Sequence, residues 1–260
     1  MKQICLRGGL LSLMILTVGM GLYAADHCGN LDFHGTYGLL GQGAVTVTNT
    51  PITGPFGRAG QAVADGHGNV TFLTTASYNG LIFSESFGGT YSVSADCTID
   101  FQLPPFAPVG FPAEFKGVIA DNKQEVRFMI FSPPGQTIHA TLRKQNKNHC
   151  ETEDLSGGYD VEFTGDQPPY GGFVREGRLV ADGKGRFTAA TNANYGGAVI
   201  QAENFSGVYT VDDDCTLVLK YGSNAAPITW TGAFIDNNQG AVLIVSSPAG
   251  AAVVGTLKRQ

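Results

Sequence analysis

The 260 residues carry a formal charge of −6 at pH 7, with 36 Gly, 43% hydrophobic residues and only 15% charged ones; that length accommodates one or two domains. So much glycine beside abundant Thr and Val, with few charges, suits strands and turns and excludes long coiled coils and helical solenoids. Enough aromatic and β-branched residues remain to build a core, which excludes disorder, and the acidic balance offers nucleic acid no electrostatic footprint.

At the N-terminus, Lys2 and Arg7 precede an apolar run over residues 10–23, with Ala24 and Ala25 at its end and Asp26 as the first acidic residue. A basic start, a short apolar stretch and small residues at the boundary describe a secretory signal peptide, here residues 1–24. The run is too short for a membrane span, which needs about 20 apolar residues, and no later stretch is long and apolar enough. The protein is therefore expected to be exported, to the periplasm or the extracellular space.

The rest of the chain repeats itself. Residues 58–68, with Asp65-Gly66-His67-Gly68, reappear as 175–185, with Asp182-Gly183-Lys184-Gly185. Residues 87–97, through Tyr91 to Asp96-Cys97, reappear as 205–215, through Tyr209 to Asp214-Cys215. The endings match too, Thr141-Leu142-Arg143-Lys144-Gln145 against Thr256-Leu257-Lys258-Arg259-Gln260. A period this long marks duplicated domains rather than a solenoid. Their expected bounds are 28–145 and 150–260, joined by the polar segment 146–149.

Within each copy, alternation predicts half-buried strands. Cys97, Ile99, Phe101 and Leu103 share one face, as do Cys215, Leu217, Leu219 and Tyr221, and Ile138, Ala140 and Leu142 share another. Turn signals at Asp65-Gly66, Asn79-Gly80, Gly88-Gly89, Asp121-Asn122 and residues 133–135 separate the runs. The predicted fold is all-β: two tandem antiparallel meander barrels of about eight or nine strands each, with a two-sheet β-sandwich as the alternative. Four cysteines outside the signal peptide allow three connectivities. Only Cys28–Cys97 with Cys150–Cys215 treats both copies alike, and an exported protein can form them.

The pattern Gly35, Tyr37, Asp65-Gly66, Gly68, Gly89-Thr90-Tyr91, Val93 and Asp96-Cys97-Thr98, repeated at Gly157, Tyr159, Asp182-Gly183, Gly185, Tyr209, Val211 and Asp214-Cys215-Thr216, resembles small secreted bacterial barrel proteins. These are similar to the allene oxide cyclase-like and calycin-like barrels. The resemblance implies the barrel fold and, through the cyclases, a lumen that could bind or isomerise a small molecule.

No nucleophile elbow, P-loop or dinucleotide fingerprint is present, and no cofactor or metal is expected. His27-Cys28 and His149-Cys150 read as disulfide halves rather than metal ligands, since a disulfide sulfur is unavailable to a metal. Asp212-Asp213-Asp214 lacks the spaced oxygen ligands of a calcium loop and reads as a solvated turn. Three polar positions recur in both copies: Arg58 and Arg175, Tyr78 and Tyr195, Glu85 and Glu203. Glu85 falls on the same strand face as Leu81 and Phe83, so each copy reads either as an inward glutamate–arginine pair with a phenol at the same site, or as a structural ion pair or two exposed rim residues with the tyrosine packed in the core near a turn. These six are the candidate ligand-binding residues. The copies diverge in their Pro- and aromatic-rich loops, 104–112 against 222–227 and 53–56 against 167–170, which either grip an apolar partner or plug the barrel ends. The expected function is non-enzymatic binding of small apolar ligands in the lumens; the alternatives are a structural or surface-interaction protein and a cyclase or isomerase using Glu85 and Glu203.

Overall fold

The computed structural model describes residues 27–46 and 51–260. The expected signal peptide, residues 1–24, lies outside the described residues. The first eight strands are β1 (His34–Val45), β2 (Gly54–Asp65), β3 (Asn69–Tyr78), β4 (Leu81–Val93), β5 (Thr98–Leu103), β6 (Ala113–Ala120), β7 (Glu125–Ser132) and β8 (Thr137–Lys144). Each pairs antiparallel with the next, and β1 pairs with β8 through Leu39 opposite Leu142, which closes a barrel. The second eight repeat the plan: β9 (Ser156–Gln167), β10 (Gly171–Asp182), β11 (Arg186–Tyr195), β12 (Ala198–Val211), β13 (Thr216–Ser223), β14 (Ala226–Ile235), β15 (Gly240–Ser247) and β16 (Ala252–Arg259). Here β16 pairs back to β9, Leu257 opposite Val161. Closure excludes the sandwich, because a sandwich leaves edge strands and neither sheet has one.

Among the described residues each barrel has eight strands and no ninth. The chain ahead of β1 and β9 instead coils into short 3-10 turns, Asn30–Asp32 and Thr152–Asp154. Gly88 and Gly89 lie inside β4 rather than at a turn. A Cβ on Gly89 would sit 2.4 Å from the Leu103 side chain and 2.9 Å from the Gln102 carbonyl, so the glycine admits close strand packing. The true tight turns carry their own polar clamps. Asp65 Oδ1 accepts from the backbone N–H groups of His67 (2.7 Å) and Asn69 (2.9 Å), with Gly66 at φ 76°. Asp182 does the same for Lys184 and Arg186. Asp212-Asp213-Asp214 is likewise a turn, in which Asp214 accepts from the Thr216 backbone and hydroxyl.

Both expected disulfides are present, Cys28–Cys97 and Cys150–Cys215. Each ties the segment entering its barrel to the β4–β5 or β12–β13 turn. The same end is filled by Phe33, Tyr37 and Tyr91 in the first barrel and by Leu155, Tyr159 and Tyr209 in the second, all buried. The Tyr91 hydroxyl donates to the Phe33 carbonyl at 2.7 Å and that of Tyr209 to the Leu155 carbonyl at 2.6 Å. The cysteine end of each barrel is thus sealed, and any ligand must enter from the other.

The two barrels pack side by side. Outward side chains of β1 and β2, Leu40 and Ala59, meet Ala233, Ile235, Val242, Ile244 and Val254 of β14–β16. This contact explains why β2 is buried on both faces over most of its length, against the usual alternation. Polar groups caught in the seam are satisfied across it: Ser77 donates to the Ala251 carbonyl (2.7 Å) and Gln145 to the Phe234 carbonyl (2.8 Å).

Candidate functional site

Alternation along β2, β3 and β4 sends Phe56, Arg58, Tyr78, Glu85 and Phe87 into the first lumen near the end opposite the disulfide. Register completes the cluster, setting Phe56 opposite Tyr78 and Thr74 opposite Glu85. Arg58 Nη2 donates to Glu85 Oε2 at 2.5 Å and to the Tyr78 hydroxyl at 2.6 Å, and that hydroxyl donates to Glu85 Oε1 at 2.8 Å. Thr74 adds a longer bond to Glu85 (3.3 Å). The triangle is closed: every partner donates to or accepts from the other two. Its side chains are almost wholly out of solvent, 9% exposed for Arg58 and 2% for Glu85. Burial pushes the Tyr78 phenol well above its ordinary range, outweighing the pull of Arg58.

Rings enclose the guanidinium. Phe56, Phe87 and Phe106 lie 5.3, 5.1 and 5.6 Å from it, centroid to carbon, distances at which a cation is attracted to a ring face. Phe106 comes from the 104–112 loop and stacks on Phe87 at 4.1 Å. Val109 and Phe111 of that loop also line the lumen. Of the two roles expected for this loop, the structure supports the plug. What remains is a cavity of about 50 Å³, room for one or two water molecules, into which Gln136 also faces.

The second barrel repeats the cluster with changed surroundings. Arg175 Nη2 donates to Glu203 Oε2 at 2.6 Å and to the Tyr195 hydroxyl at 2.8 Å, so all six expected residues lie in the two clusters. A fourth member appears that the sequence reading missed as a site residue. Tyr221 takes the place of Leu103, and its hydroxyl accepts from Arg175 Nη1 at 2.9 Å. The alternation had turned Tyr221 inward; only the position of Arg175 reveals its role. Phe205, the counterpart of Phe87, stacks on Tyr221 at 4.3 Å instead of on a loop phenylalanine. With a two-residue turn between β13 and β14 replacing the long loop, nothing equivalent to Phe106 covers the site. Glu203 is accordingly 30% exposed, while Arg175 stays 5% exposed.

The lumen below is also built differently. Phe163 stands where the first barrel has Gly41, and it packs on Trp230, the one tryptophan of the chain, at 4.3 Å. Between these rings and the mouth lies a cavity of about 160 Å³, lined by Phe163, Phe173, Trp230 and Val245 beside the polar cluster. Burial raises the phenols of Tyr195 and Tyr221 above their ordinary value.

Elsewhere, Leu81, expected to face inward, is 42% exposed because it sits at the β3–β4 rim. Tyr170, from the second Pro-aromatic loop, is exposed and contacts Tyr195 edge-on at 5.9 Å. His149 stands 3.7 Å from Glu151 and 4.0 Å from Asp213, and its neighbour Cys150 is held in a disulfide. Among the described residues no group of three His, Cys, Asp or Glu side chains is arranged to hold a metal.

No family model matches the chain and no curated protein does. Among solved structures it is similar to a protein of unknown function from the DUF3598 family of Nostoc punctiforme, at 12% identity and a TM-score of 0.22, over 88% of this chain and 97% of that one. A likeness of that degree carries no weight for fold or site, which rest on the strand pairing and the side-chain geometry.

Proposed function

We propose that the protein is exported, is not an enzyme, and binds a small, largely apolar molecule in the lumen of its second barrel. One observation carries this reading: the same arginine–tyrosine–glutamate cluster is sealed beneath Phe106 in the first barrel and stands at the mouth of a cavity of about 160 Å³ in the second. A volume near 150 Å³ lined by apolar groups holds a molecule of about benzene's size. Aromatic walls with a few convergent polar groups are the ordinary make-up of a small-molecule pocket. The first barrel then serves as a filled, structural partner. The two disulfides are in keeping with export. The resemblance to calycin-like barrels agrees with ligand carriage in a lumen.

Native mass spectrometry of protein purified from its own source tests the reading. A bound small molecule that disappears in a Val245→Phe variant, which fills the cavity wall, supports it. Protein that carries no adduct and takes up neither benzene nor toluene contradicts it.

A second reading, cyclase or isomerase chemistry, draws on the exposure of Glu203. Only this glutamate can meet a substrate, since Glu85 is enclosed, so Glu203→Gln alone should abolish turnover and Glu85→Gln should spare it at temperatures where both variants are folded.

A further inference from the structure

The two clusters differ in how their hydrogen-bond donors are spent. In the first barrel the Tyr78 hydroxyl accepts from Arg58 and donates to Glu85, so its proton is used. In the second, Tyr195 and Tyr221 both accept from Arg175. A guanidinium has only donors, so neither phenol can give its proton to the arginine. Neither donates to Glu203 or to any other described residue. Both tyrosines line the cavity, and their hydroxyls sit on Arg175, which lines it too. The outcome is two O–H donors, held by opposite arms of one buried cation and polarised by it, beside a cavity whose remaining walls are aromatic and aliphatic apart from Gln167 and Glu203. Arg175 withdraws electron density from each phenol oxygen, which strengthens the outgoing O–H bond as a donor. Burial keeps both phenols protonated through neutral pH.

The charge balance narrows the acceptor. Glu203 lies 2.6 Å from Arg175 and already neutralises it, so an incoming anion gains no net attraction and meets the glutamate's charge. A neutral acceptor oxygen gains both hydrogen bonds without that repulsion. We infer that the ligand of the second barrel is a small ring bearing a neutral carbonyl, a cyclic ketone, lactone or quinone, and that Tyr195 and Tyr221 grip its oxygen. This rests on the second barrel being the ligand site. The ring packs on Trp230 and Phe163, and the carbonyl points to the mouth.

The test uses the full chain and its single tryptophan. Trp230 gives one indole N–H resonance, so a titration followed by that signal reports the second barrel alone. Three probes of similar size are compared: cyclohexanone, methylcyclohexane and cyclohexanecarboxylate. Cyclohexanone should bind about tenfold more tightly than the hydrocarbon, the ordinary worth of one or two net hydrogen bonds, and more tightly than the carboxylate. Tyr195→Phe with Tyr221→Phe should bring that ratio close to one. The inference is overturned if ketone and hydrocarbon bind equally to the wild-type chain, if the carboxylate binds best, or if the double variant keeps the ketone preference. Binding of the hydrocarbon without a ketone preference would leave the second barrel standing as a pocket; binding of no probe at all would remove both readings. The wild-type comparison needs no variant, so a folding defect in the double mutant does not shelter the idea.

Discussion

The first barrel encloses its charged cluster and the second exposes it, although their strands pair alike except for a one-residue register shift between β11 and β12, at Thr191 and Ala193, that β3 and β4 lack. Two substitutions and one loop, beside that shift, separate the two mouths. Leu103 becomes Tyr221, Gly41 becomes Phe163, and the loop that brings Phe106 over Arg58 shrinks to a turn. The comparison teaches that a duplicated barrel keeps its scaffold residues (the disulfide, the tyrosine at the sealed end, the Asp-Gly turn) while its mouth diverges. In the first copy the arginine–glutamate pair is a core feature. In the second it stands at the mouth of a cavity, and the proposed ligand would meet the two phenols there.

The largest expected effect comes from breaking the pair on each side. Glu85→Gln leaves the Arg58 charge buried without its counter-ion and should destabilise the protein by about 3–5 kcal/mol. Glu203→Gln leaves a buried arginine whose partner side is open to solvent and should cost less, about 1–2 kcal/mol. Denaturant unfolding, with circular dichroism for the whole chain and Trp230 fluorescence for the second barrel, separates the two. Equal losses would mean that the sites are equally buried and would dissolve the comparison.

A smaller effect should follow from opening the lid. Phe106→Ala removes a stacked, partly exposed ring and should cost about 1–2 kcal/mol. It should also let a carbonyl probe reach the first lumen weakly, since Tyr78 still spends its proton on Glu85. If the first barrel then bound cyclohexanone as tightly as the second, the spare donors of Tyr195 and Tyr221 would not be what matters.

The smallest effect is on pH dependence, at the sealed ends where the barrels agree. Burial raises the Tyr37 phenol to about 12. Unfolded chain ionises near pH 10 while the folded chain does not, so the unfolded state binds fewer protons there. Stability should be unaffected by Tyr37 below about pH 10 and fall as pH rises from about 10 toward 12, by about 1 kcal/mol at pH 11. Tyr37→Phe should flatten that decline in thermal melts at high pH. Burial raises Tyr159 as well, and Tyr159→Phe should also flatten the decline.

Much of this fold can be read before any coordinates. The copies align residue by residue at Asp65 and Asp182 and at Cys97 and Cys215, because turns and disulfides need particular residue types. Strand alternation put Glu85 on an apolar face and left open whether it and Arg58 pair inside the barrel or sit at its rim; the pair lies inside, while Leu81 on the same face is exposed at the rim. Other features are tertiary and left no such trace. Gly88-Gly89 looks like a turn and instead admits a neighbouring strand. Phe106 looks like an exposed mouth residue, but its loop folds back onto Phe87. Tyr221 looks like one more apolar inward position, and only the reach of Arg175 across the lumen makes it a site residue.

The most direct test of the central claim, that one barrel of two is open to a ligand, is a full-chain titration with cyclohexanone that reads both lumens at once. Methyl and indole resonances of Leu39 and Ile138 report the first barrel, and those of Val245 and Trp230 report the second. Saturable shifts at Val245 and Trp230, with Leu39 and Ile138 unmoved, are predicted. Shifts centred on Leu39 and Ile138, or none in either barrel, would contradict the account.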